Sequence, residues 1–406
     1  MLNPSGDCSP RRAAYITRLT LTGFRNYDAL RLELSGAPVV LVGANGAGKT
    51  NLIEAVSLFT PGRGLRGAQY GDLARLPEGR NWAVAARLAG PLGEVRLGTA
   101  WERSADAGAD NEQAASRQVV IDGKPARGSG AFGEHLRVLW LTPAMDKLFT
   151  GPASDRRRFL DRLVQAFDPG HGARVGALDK ALRERNRLLA ERASERGWLS
   201  AIEQELAEAG VAVAAARVAA VAALRTCLGQ APSGRRGSAF PAAELALEGD
   251  LEARLASVPA VQVEDEYRKM LHDSRKPDSV AGRTLKGPHR SDLAVTHAGR
   301  GVAARSCSTG EQKALLIGLV LAHARAVRDS FAGWAPLVLL DEVTAHLDAE
   351  RRAGLYAELA DLGAQTWMTG TDERLFAAMH QAADVVTIEA GAIRRLATAR
   401  SFGQVT

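Results

Sequence analysis

The residues whose types and spacing carry most chemistry are Gly43, Gly48, Lys49 and Thr50. They lie in Gly43-Ala44-Asn45-Gly46-Ala47-Gly48-Lys49-Thr50-Asn51, between the apolar run Val39-Val40-Leu41-Val42 and Leu52-Ile53-Glu54-Ala55-Val56. A buried strand, a glycine-rich turn and a helix start are predicted in that order. Glycines let the main chain wrap a phosphate without Cβ clashes, and the helix N-terminus then aims its N–H groups at the anion. In this G-x-x-x-x-G-K-[ST] pattern, the P-loop, Lys49 reaches the β/γ-phosphates and the Thr50 hydroxyl ligates Mg²⁺. The bland alternative is a glycine-rich turn that happens to hold Lys-Thr. The strand before it and the helix after it weigh against that.

Two further stretches join the first. Pro336-Leu337-Val338-Leu339-Leu340 reads as a fully apolar central parallel strand, and it ends on Asp341 and Glu342. In such a Walker B pattern Asp341 holds Mg²⁺, and Glu342 positions or deprotonates the attacking water. Alone, an apolar strand ending on a polar turn gives the same letters. Ser308-Thr309-Gly310-Glu311 opens an apolar helix through Ala322, a second anion-ready helix N-terminus. Serine and glycine at that place are also ordinary capping residues. The catalytic candidates are therefore Lys49 and Glu342. Gly43 to Asn51 would bind nucleotide, and Thr50 and Asp341 the metal.

The rest of the chain must position these groups. Thr17–Thr22 and the alternation of Leu30, Leu32 and Leu34 predict a hairpin around Gly23-Phe24-Arg25-Asn26-Tyr27. Asn81–Leu88, Glu94–Trp101 and Val119–Ile121 continue an antiparallel pattern, with Asp122-Gly123 as a turn signal. Ser104 to Arg117 reads as a polar loop and Val138–Leu141 as a short buried strand, so the first 150 residues are expected to form one mixed sheet around the P-loop. From Gly151 the pattern turns helical. Leu178, Leu182, Leu188 and Leu189, then Ile202, Leu206, Val213 and Val221, mark two antiparallel helices on either side of Gly197. Thirty helical residues reach only ~45 Å, a short arm. Pro232–Phe240 is expected as a loop, Val263–Ser274 as a helix, Gln365–Met368 as a strand, and Asp384–Ile388 with Ile393–Leu396 as a closing hairpin.

Composition narrows the classes. The chain has 406 residues, 46% apolar and 24% charged, ordinary for a globular protein with an ample core. Its net charge of +6 and pI near 9.4 suit a polyanionic partner without requiring one. Cys8, Cys227 and Cys307 have no metal-ligand spacing and suit a reducing, cytoplasmic setting. Met1 to Arg12 has no apolar signal core, and the most apolar stretch, Ala209 to Leu224, is broken by Arg217, so no membrane partner is expected.

The order P-loop, Ser-x-Gly-Glu, Asp-Glu, with a helical insert between the first two, resembles ABC-type ATPases. Within that class the chain is similar to the RecF family of bacterial recombination mediators. The marks are Gly23-Phe24-Arg25-Asn26-Tyr27, the loop Gly43 to Asn51, Gly62-Arg63-Gly64-Leu65-Arg66, and Arg157-Arg158-Phe159-Leu160-Asp161. To these are added Arg185-Asn186-x-Leu188-Leu189, Gly287-Pro288-His289-Arg290-x-Asp292 and Thr369-Gly370-Thr371-Asp372. The resemblance implies an α/β fold: an ABC-type P-loop ATPase head with a mixed sheet at 15–155 and 276–406, an inserted mainly helical arm at 156–275, and a disordered tail at 1–14. It implies a weak ATPase using ATP and Mg²⁺, closing as a homodimer. Ser308, Thr309, Gly310 and Glu311 of one subunit would complete the site of the other. It also implies binding to gapped or single-stranded DNA and junctions, with RecR and indirectly RecA as partners, in repair, replication restart and SOS induction. Arg66, Arg156, Arg157 and Arg158 are candidate DNA phosphate contacts, Arg66 alternatively a nucleotide contact.

There are departures from the wider ABC pattern. Thr369-Gly370-Thr371 stands where transporter subunits carry a histidine, as in the RecF family. No glutamine stands in Leu141-Thr142-Pro143-Ala144-Met145-Asp146, and Lys313 replaces a frequent arginine. A transporter subunit and a structural nucleotide-binding dimer without DNA are the rival functions. Membrane co-purification separates the first, and a salt-titrated DNA-binding assay the second.

Overall fold

The computed structural model describes residues 14–75, 81–90, 93–102, 117–191, 195–230, 239–331, 334–379 and 382–399. The expected tail up to residue 13, the loop over 104–116 and most of that over 232–240 lie outside them. The chain divides into two compact units, Met1–Met145 with Ala324–Thr406, and Asp146–His323. The second begins earlier and ends later than the expected arm, and it includes the Ser308–Glu311 segment.

The first unit holds two six-stranded sheets, where one was expected over its N-terminal part. The strands that alternate in sequence form one antiparallel sheet, in the order Tyr27–Glu33, Tyr15–Phe24, Asn81–Gly90, Gly93–Glu102, Gln118–Ile121, Lys124–Pro125. The central strand Asn81–Gly90 buries one face: Trp82, Val84, Ala86 and Leu88 point into the core as their period-two spacing requires. The uniformly apolar strands go elsewhere. Val39–Val42, Thr366–Gly370, Leu337–Leu340 and Val138–Leu141 are buried at every residue and lie side by side in parallel, as strands covered on both faces must. Asp384–Glu389 flanks the first of these in parallel, and Ala392–Ala397 closes the edge antiparallel. The register sets Val42 opposite Gly370, and Met368 opposite Leu340, so the carboxyl ends of three strands meet at one rim. Ligands of such sheets bind outside that rim. The Gln365 amide exchanges hydrogen bonds with both main-chain groups of Ile16, at 2.9 and 3.0 Å, and stitches the two sheets together.

The second unit is built on the helices His171–Glu191 and Arg196–Gln230. Leu188 and Leu189 cluster with Leu199 and Ile202, while Leu178 and Leu182 cluster with Leu206, Val211 and Val213. That reversal of order makes the pair antiparallel, as the leucine spacing predicts. Ala260–Asp273 adds Val263, Tyr267 and Leu271 to the same core. A three-stranded sheet of Val302–Ala303, Asp292–His297 and Ala243–Glu248 completes the unit. The strand Ala243–Glu248 is not foreseen in the sequence.

The helix Arg196–Gly229 is long and apolar enough to cross a membrane, with a mean hydropathy of 1.8 over its best window. It packs as a core helix instead. Leu206, Ala207 and Ala214 are fully buried, and Arg217 in its midst is held bidentately by Asp161 at 2.8 and 2.9 Å.

Candidate nucleotide site

The P-loop is shaped by close approach at two glycines. Gly43 passes the strand Asp384–Glu389 so tightly that a Cβ would sit 2.2 Å from the Ile388 carbonyl oxygen. Gly48 adopts φ 113°, and a Cβ there would meet Asn26 Nδ2 at 2.5 Å and Tyr27 Oη at 2.7 Å. The helix Lys49–Ser57 therefore begins on a residue with no side chain, and no side-chain hydrogen bond caps it. Its first N–H groups are left for an anion. Lys49 is 4% exposed, and its ammonium donates to the carbonyls of Gly43 and Ala44 at 2.7 and 2.9 Å. Burial lowers its pKa, while Glu342 and Asp341 pull the other way. A buried cation resting on neutral carbonyls is poised to accept phosphate oxygens.

Thr50 meets the Walker B strand. Its hydroxyl donates to Asp341, lying 2.9 and 3.2 Å from the two carboxylate oxygens. A hydroxyl beside a carboxylate is the hard-oxygen donor set that Mg²⁺ prefers, so these residues fit the metal. Glu342 follows at φ 51°, a left-handed conformation uncommon for a residue with a side chain. Its N–H donates to the Thr369 hydroxyl at 2.9 Å.

Several residues here escape a sequence reading. Glu54 is completely buried and binds two arginines: Arg25 bidentately at 2.8 and 2.9 Å, and Arg66 at 2.9 Å. Arg66 also donates to Asn51, whose amide donates to Asn26 at 2.7 Å. Tyr27 donates to the Gly48 carbonyl at 3.0 Å. The hairpin Arg25-Asn26-Tyr27 is thus a clamp beneath the P-loop, and Arg66 is tied into it. Arg117 anchors the far end of the P-loop helix by donating to the carbonyls of Leu58 and Gly62. Glu54 follows the apolar residues Leu52 and Ile53, and that position in a helical run was its one sequence signal.

The Ser308–Glu311 segment lies in the other unit. It opens the helix Thr309–Ser330 with a reciprocal capping box. The Ser308 N–H and hydroxyl both donate to Glu311 at 2.9 Å, and Arg300 pairs with the same carboxylate. These donors, the Ser308 N–H first, hold the Glu311 pKa down to about 2. Asp348, just past Walker B, caps the helix Ala349–Leu362 through the Arg351 N–H.

The remaining arginine candidates have partners within the second unit. Arg156 grips Asp292 bidentately at 2.7 and 2.8 Å, which raises its pKa, and donates to Gly151. Arg157 donates to the Ser291 carbonyl at 2.8 Å. Arg158 is 79% exposed and pairs with Asp155 one helical turn away. His289 is half-buried with Nε2 against the Thr284 carbonyl, and desolvation lowers its pKa. The Gly287–Asp292 stretch is thus knitted into the base of the arm.

A P-loop whose threonine touches the carboxylate ending a parallel strand, in a chain interrupted by a helical insert, defines an ABC-type ATPase head of the SMC kind. The family model described as RecF/RecN/SMC N terminal domain matches residues 15–394. Within that class, the chain belongs to the RecF family. It is 50% identical to the DNA replication and repair protein RecF of Mesorhizobium japonicum over 93% of this chain and 97% of that one. It is 49% identical to that of Rhizobium etli, over 93% and 98% of the two chains. A solved structure described as the recombination mediator protein RecF-ATPrS in RecFOR pathway superposes with a TM-score of 0.82 at 21% identity, covering 96% of this chain and all of that one. An Smc head domain bound to the C-terminal domain of ScpA, from Pyrococcus furiosus, gives 0.51 at 16% identity, with 95% and 96% covered. Both share the fold.

Proposed function

We propose that the chain is an ATP-dependent DNA-binding protein and slow ATPase. ATP drives its head-to-tail dimerisation, and the dimer acts at gapped or single-stranded DNA and junctions. In this reading it assists RecA loading together with RecR, in recombinational repair, replication restart and SOS induction. The observation that carries the enzymatic part is the contact of Thr50 with Asp341, with Lys49 and Glu342 beside it.

The residues take these roles. Lys49 exchanges its carbonyl partners for β/γ-phosphate oxygens. The N–H groups at the start of Lys49–Ser57 hold phosphate, and the hydrogen-bonded chain Asn26–Asn51–Arg66–Glu54 fixes that helix start. Thr50 and Asp341 would hold Mg²⁺, which when bound neutralises charge developing on the phosphates. Glu342 orients the attacking water and takes its proton. Ser308 to Glu311 complete the site of the opposite subunit. Of the four arginine candidates, Arg158 has most surface to offer DNA, and residues 156–275 serve as the arm.

The test is binding to gapped, single-stranded and duplex DNA, with and without Mg-ATP, across a salt titration. Tighter binding in Mg-ATP, with a slope of several counterions, is the expected result. Equal, salt-insensitive binding in all arms overturns the DNA reading.

A further inference from the structure

We propose that Thr369 is a positioning residue that couples the two carboxylates of the hydrolytic site. This rests on the ATP-hydrolysis reading and assigns a task to a position where that reading names no residue. Thr369 lies in the strand Thr366–Gly370, which separates the P-loop strand from the Walker B strand. It is 1% exposed. Its hydroxyl donates to Asp341 Oδ1 at 2.8 Å and accepts the Glu342 N–H at 2.9 Å.

A hydroxyl has one proton and two lone pairs. Here the proton goes to the first carboxylate and a lone pair to the main chain of the second. Asp341 Oδ1 receives hydroxyls from both Thr50 and Thr369, so its rotamer is fixed from a helix start and a strand end. Its main-chain N–H is fixed from a second strand end, by the Leu141 carbonyl at 2.9 Å. Glu342 is different. It stands at φ 51° in a conformation that surrounding contacts must hold, and its N–H bond to Thr369 is one such contact. One buried oxygen thus aligns the metal-binding carboxylate and aims the water-activating one. The hydroxyl bonds neither Lys49 nor the P-loop glycines, whose contacts run to Gly43, Ala44, Asn26 and Tyr27. Nucleotide binding and its conversion are therefore separable at this residue.

The decisive pair is Thr369→Ser and Thr369→Ala, which both lose the methyl and differ only in the oxygen. Thr369→Val, which keeps the shape, is the third variant, and Glu342→Gln is the reference. Three quantities are measured: ATP turnover, ATP affinity in EDTA by calorimetry, and the Mg²⁺ concentration that half-saturates the gain in ATP affinity. Serine should stay within about threefold of wild type on all three. Alanine and valine should lose about tenfold or more in turnover and need severalfold more Mg²⁺, with EDTA affinity unchanged. Alanine behaving like serine in turnover and Mg²⁺ dependence overturns the proposal. Should Glu342→Gln hydrolyse ATP like wild type, the hydrolysis reading fails on its own. The Mg²⁺ comparison of serine with alanine then still decides whether Thr369 sets Asp341.

Discussion

Two helix N-termini were legible as anion sites, and the fold treats them oppositely. The helix at Lys49 starts on Gly48 with no side-chain cap. The helix at Thr309 starts on Ser308 with its donors taken by its own Glu311. An anion site needs free N–H groups and positive charge, and the first has both. In the second, the capping serine is bonded to its own Glu311, which sets a carboxylate at the helix start. In the proposed dimer it would meet phosphate only together with the other subunit's P-loop. A Ser/Gly-rich helix start is therefore ambiguous until the residue three places on is examined.

The sharpest break in this comparison is Lys49→Ala. Removing the only lysine in the P-loop should weaken ATP binding about a hundredfold, the scale of roughly 3 kcal/mol for a charge-assisted contact. Unchanged affinity by calorimetry would contradict the open-site reading. Next in size is Ser308→Arg. It should leave single-site ATP binding intact and reduce Mg-ATP-induced dimerisation, seen by light scattering, by tenfold or more. A mixture of the two variants should recover one working site, because each supplies the half the other lacks. A Ser308→Arg protein that dimerises and hydrolyses normally would remove the trans arrangement.

Smaller effects follow. Gly48→Ala forces a left-handed residue with a Cβ into Asn26 and Tyr27. About 2 kcal/mol should be lost, a fall of roughly 4–8 °C in Tm by calorimetry. The smallest effect concerns Glu311. Its pKa falls from 4.5 to about 2 on folding, so its contribution is present above the unfolded value and disappears as pH drops through about 2. Lying at the surface and screened by solvent, it should steepen the acid limb only slightly. Glu311→Gln should flatten that limb by lowering stability slightly at neutral pH and leaving it unchanged in strong acid. An equal loss at pH 7 and in strong acid would show that the capping box matters through shape rather than charge.

Much of the site was readable because its chemistry is local. Glycine spacing, Lys49-Thr50 and Asp341-Glu342 each lie in one short run, and fully apolar strands announce burial on both faces. What was hidden depends on tertiary partners. Glu54 looks like one charged position of a helix, and only the fold brings Arg25 and Arg66 to it. Thr369 was visible as a motif, but its two bonds need Leu337–Leu340 beside it. The strand Ala243–Glu248 is written in alanine, glutamate and leucine, good helix formers. Pairing with Asp292–His297 along its full length overrides that preference. The separation into two sheets was encoded in the contrast between alternating and uniform strands.

The strand order has a consequence for synthesis. Val39–Val42 emerges among the first residues, yet both strands that flank it, Thr366–Gly370 and Asp384–Glu389, come from the last tenth of the chain. At roughly 5–20 residues per second, an apolar ribbon with two bare edges waits on the order of tens of seconds for its neighbours. Until then it is a template for pairing with another nascent chain. Ribosome-bound fragments that stop before Thr366 should hence lack a formed P-loop and depend on chaperones, whereas release of the last strands completes sheet and nucleotide site together.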